Sequence, residues 1–67
     1  MEQYTKEERT ERIESIINEL ERLHQKIGSL IGEGSPILQD TINHVDREMW
    51  LVRQKMRHAS EFNKDNM

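Results

Sequence analysis

Two heptad runs constrain this chain more than any other feature. Ile13, Ile16, Leu20, Leu23, Ile27 and Leu30 follow one another at alternating spacings of three and four residues. After a break, Leu38, Ile42, Val45, Met49, Val52, Met56 and Ala59 take up the same rhythm. Such spacing lines one side of an α-helix with apolar side chains, at the a and d positions of a heptad. The break, "IGEGSPIL" from Ile31 to Leu38, holds two of the three glycines and the only proline. The pattern therefore predicts an all-α fold, an antiparallel two-helix hairpin (αα-hairpin).

Local signals give the boundaries. Thr5 with Glu8 fits a capping box, so the first helix is expected over about 6–31. Gly32 suits a left-handed residue just past its end, and the turn is placed at 32–35. Ser35 is a good N-cap and Pro36 suits a first helical position, so the second helix is expected over about 36–62. The polar tail 63–67 is expected to fray. The whole chain, 1–67, reads as one domain. Pairing a with d positions in antiparallel fashion sets Ile27 opposite Leu38, Leu20 opposite Val45 and Ile13 opposite Val52. The bend then falls at Gly32–Glu33.

The same break resembles a phosphate loop only in its glycines. A P-loop needs a preceding strand and a terminal Lys-Ser/Thr pair, and "GEGSP" has neither. There is no cysteine for a disulfide or a thiolate metal site. His44 and His58 stand fourteen residues apart on one helix, roughly 21 Å at its rise per residue. No metal site and no cofactor is expected from that spacing. The serines have no nucleophile elbow around them, and the glutamates of the first helix read as a solvated face. The charged N-terminal stretch lacks the apolar segment of a signal peptide, and no apolar run reaches the roughly 18 residues of a membrane span. A cytoplasmic protein is expected.

One seam between two helices is marginal support for a chain of this size. Further apolar residues lie outside the seam and call for partners. Ile17, His24 and Ile31 at e positions, with Trp50 at a b position, are expected to form the contact of a homodimer, a four-helix bundle. Ile37, His44, Leu51 and His58 recur at c positions with Phe62 nearby, and are expected to bind a protein partner. Arg47, Arg53, Lys55, Arg57 and Lys64 leave room for an RNA-binding reading. The net charge of −3 and the interspersed acids place that reading third.

The segment "SPILQDTINHVD", Ser35 to Asp46, resembles the turn and second-helix start of the bacterial sporulation aspartyl-phosphate phosphatases. That family consists of short helical hairpins with a Ser-Gln-x-Leu-Asp signature on the second helix. Asp46 matches the signature Asp and Val45 replaces the Leu conservatively, while Asn43 stands for the Gln and Ile42 for the Ser. The resemblance implies a small bacterial regulator. If the activity is kept, it implies removal of phosphate from a response regulator with Asp46 and Asn43 at the site. The residues themselves lead to a non-enzymatic regulatory or adaptor protein. A phosphatase or phosphorelay modulator is the alternative, and an RNA-binding hairpin dimer the second alternative.

Overall fold

The computed structural model describes residues 3–65. Helix α1 spans Lys6–Gly28 and helix α2 spans Pro36–Asp65, and they pack side by side as a hairpin 48 Å long. No described residue is fully buried, so the hairpin has a seam rather than a closed core.

The caps follow the sequence closely. The Glu8 backbone N–H donates to Thr5 Oγ1 at 3.2 Å, and the Thr5 N–H donates back to Glu8 Oε1 at 3.0 Å. This reciprocal box satisfies two of the N–H groups that a helix start leaves without partners. At the start of α2, the Leu38 N–H donates to Ser35 Oγ, and Pro36 takes the first helical position.

Two boundaries differ from expectation. Helix α1 stops at Gly28 rather than Ile31. Leu30 N–H donates to the Ile27 carbonyl, Ile31 N–H to that of Gly28, and Glu33 N–H to that of Leu30. These i→i−3 bonds carry the chain onward as tight turns before it reverses. Gly32 and Gly34 both have positive φ, +87° and +77°, and supply the left-handed backbone of the reversal. The expected frayed tail is also helical as far as Asp65, because Asn63 is tied across the seam. Met67 and Asn66, the rest of that tail, lie outside the described residues.

The register differs most. Thr10 was expected level with Lys55. Instead Asn63 Nδ2 donates to Thr10 Oγ1 at 2.8 Å, and Arg9 Nε donates to Asn63 Oδ1 at 3.0 Å. His24 lies between Asp46 and Arg53, not beside Thr41. Leu20 is therefore not level with Val45: α2 is displaced along α1 by about one heptad. Sliding by seven residues restores every a and d match, so apolar periodicity does not choose between such registers. The cross-seam polar contacts and the longer climb of the turn do.

Each helix is also rotated. Toward the open end of the hairpin Arg9, Ala59 and Asn63 are half buried, and along the rest of the seam the residues turned inward are Thr10, Ile13, Ile17, Leu20, His24 and Ile27 on α1, with Gln39, Ile42, Asp46, Met49, Arg53, Met56 and Ser60 on α2. These are a and e positions rather than a and d. An a–d–e stripe spans about 100° of a helix, wider than one neighbouring helix covers. The hairpin covers the a–e part and leaves the d positions half exposed.

Candidate interaction surfaces

The seam is polar at its centre. His24, whose side chain is only 12% exposed, lies 2.9 Å from Asp46 Oδ1 through Nε2 and 2.9 Å from the Arg53 guanidinium through Nδ1. A guanidinium only donates, so Nδ1 accepts from Arg53 and Nε2–H donates to Asp46. No buried polar side-chain atom among the described residues lacks a hydrogen-bond partner. The seam occupies two residues that the sequence assigned elsewhere. His24 and Ile17, expected at a dimer contact, are half buried against α2 within the chain. The helix rotation put them there. Ile31 and Trp50, their expected companions, remain exposed and lie apart from the seam.

Asp46, the residue matching the phosphatase signature, is bound to His24. Asn43, one turn earlier, is exposed and lines an open recess with Asp40, His44 and Arg47. The two share α2, but Asp46 faces the seam. Among the described residues no three metal-ligating side chains come together. No described helix is long and apolar enough to cross a membrane. The cations of the RNA reading do not form one stripe. Arg53 is engaged by His24, while Lys55 and Arg57, two residues apart, point to nearly opposite sides of a helix turning about 100° per residue.

Two exposed apolar surfaces remain. On the back of α2, Ile37 is 81% exposed, Phe62 72% and Leu51 55%, with His44 and His58 exposed in the same row. This is the set that the sequence picked out for a partner. The second surface was not anticipated. The d residues Ile16 and Leu23 of α1, Leu30 in the turn that follows it, and Leu38, Val45 and Val52 of α2 are each 39–50% exposed. Antiparallel helices meeting through equivalent a–e positions turn their d positions to the same side of the hairpin. The six side chains therefore make two adjacent rows on one face. The signal was in the sequence, in the very heptads used to predict the seam, but it was spent on that seam.

Comparison with family models, with curated proteins and with solved structures finds no match to this chain.

Proposed function

We propose that the protein is a small non-enzymatic regulatory or adaptor hairpin that binds a protein partner through the outer face of α2. The observation that carries this reading is the exposed row Ile37, His44, Leu51, His58 and Phe62. Large apolar residues repeated along one outward face match the anchors by which a helix docks into a partner's groove. A chain whose described polar clusters are consumed in holding two helices together has more surface than chemistry to offer.

The test is partner binding by Leu51→Glu. Isotope-labelled partner capture with the parent chain identifies the bound protein, and titration of that protein with the variant measures the loss. Binding should weaken at least about tenfold while helicity and oligomeric state stay unchanged, since an exposed substitution rarely moves stability by more than about 0.5 kcal/mol. Equal affinity for both chains would place the site elsewhere. The phosphatase alternative rests on the signature resemblance at Asp46. It requires loss of phosphate from a phosphorylated response regulator that stops in Asp46→Asn, a change that keeps an oxygen for His24 to donate to.

A further inference from the structure

We infer that the unanticipated face, Ile16, Leu23 and Leu30 beside Leu38, Val45 and Val52, is covered by a second copy of this chain, giving a four-helix bundle whose two-fold axis runs along its length. Ile37, His44, Leu51 and His58 on the back of α2 are not part of this contact, so the two readings stand or fall separately; Phe62, seven residues after Lys55, lies in the row that flanks it.

Three observations support a second copy as the occupant. The first is the spacing. Both rows repeat every seven residues, so they match another helix pair of the same kind rather than an irregular surface. The second is shape. The six side chains line about 21 Å of each half of a hairpin 19 Å wide, so a second hairpin of the same width covers both rows at once. The third is charge. The residues flanking the two rows alternate in sign: Arg12, Glu19 and Lys26 on α1, and Glu48 and Lys55 on α2, all exposed.

The charges are also satisfied by one definite arrangement. A two-fold axis along the bundle lays α1 of one copy over α2 of the other without changing the level of either. The level of each residue is known from the seam, where Thr10 stands by Asn63 and His24 lies between Asp46 and Arg53. Glu19 then stands beside Lys55 of the second copy, and Lys26 beside its Glu48. Opposite charges meet at both places, twice each by symmetry, without any sliding of the copies. Like charges opposed across an interface would instead select against the pairing.

The face is tested by mass and by cover. The parent chain should sediment at about twice 8.1 kDa at tens of micromolar. Val45→Cys, a small apolar change, should be alkylated about tenfold more slowly at high than at low protein concentration, by mass action. Leu51→Cys, on the back of α2, should react at one rate throughout. A parent chain that stays monomeric near 100 micromolar would overturn the proposal, on the scale where weak contacts still associate. So would concentration-dependent protection at residue 51 in place of residue 45.

The arrangement is tested by exchanging charge. At low salt, Glu19→Lys should weaken the dimer severalfold, and the double change Glu19→Lys with Lys55→Glu should restore it. An axis across the bundle would pair Glu19 with Lys26 and Glu48 with Lys55. In that case the double change would weaken association further than the single one, and the axis along the bundle would be refuted.

Discussion

At the scale of single residues, the hairpin depends on a few positions with definite chemistry. Thr5 accepts from the Glu8 N–H, and its loss in Thr5→Ala should cost about 1 kcal/mol, the usual effect of removing an N-cap hydroxyl, measured by denaturant unfolding. The Thr5 backbone N–H, and after it the Thr5 hydroxyl, hold the Glu8 carboxyl below its ordinary pKa of 4.5; desolvation opposes them, and Arg12 adds a lesser pull in their direction. A depressed carboxylate contributes stability that is fully present above the unfolded-state value and disappears as pH falls through the folded one. The melting temperatures of the parent and Glu8→Ala should therefore differ at pH 7 and converge as the pH drops below 4.5. A gap that persists in acid would mean that Glu8 acts through something other than its charge. The glycines give opposite expectations. At Gly34, φ is +77° and an added Cβ would lie 2.6 Å from Leu38 Cδ2, so Gly34→Ala should destabilise by about 1–2 kcal/mol. At Gly28 an added Cβ meets nothing within 4 Å and the backbone is helical, so Gly28→Ala should stabilise by up to about 1 kcal/mol. Both are read from unfolding midpoints.

At the scale of the helices, the question is what holds one register against its neighbours a heptad away. Apolar stripes tolerate that slide; hydrogen bonds do not. His24 with Asp46 and Arg53 at the middle of the seam, and Asn63 with Thr10 and Arg9 at its open end, are satisfied in only one alignment. Replacing a paired polar network by apolar residues is often neutral or stabilising, while its loss removes specificity. The combined change His24→Leu, Asp46→Leu and Arg53→Met should keep the helicity and melting temperature of the parent or raise the latter. It should also add a second distance, displaced by up to about 10 Å, between spin labels at residues 14 and 43, which lie well apart along the hairpin axis, since seven residues of helix rise by that amount. One unchanged distance would show that the turn alone sets the register.

At the scale of the molecule, the two sides of the hairpin behave differently. Trp50 is 54% exposed and its neighbours Arg53, Gln54 and Arg57 line a shallow recess with it. The sequence reading made it a buried anchor of the dimer. Its position away from the d rows gives a different expectation: Trp50→Ala should change stability by no more than about 0.5 kcal/mol, as at an ordinary surface site. Quenching of its fluorescence by acrylamide should not change on dilution from dimer to monomer. A quenching constant that falls with rising concentration would return Trp50 to the interface.

The sequence by itself determined what depends on near neighbours. Two heptad runs made two helices. Thr5 with Glu8, and Ser35 with Pro36, set where each begins. Gly32 carries the positive φ expected of it at the reversal. These are contacts within one turn of chain, and local propensity and capping decide them. The exposed row on the back of α2 was legible for the same reason, since a face is a matter of spacing along one helix. The tertiary structure alone decided which residues meet across the seam. Thr10 with Asn63 and His24 with Arg53 join positions far apart in the chain, and a repeating pattern offers several equivalent ways to align them. A stripe wider than one partner can cover also leaves open which part the hairpin takes. Here the a–e part closes around a polar centre, and the d residues, the most conspicuous feature of the sequence, are left facing outward.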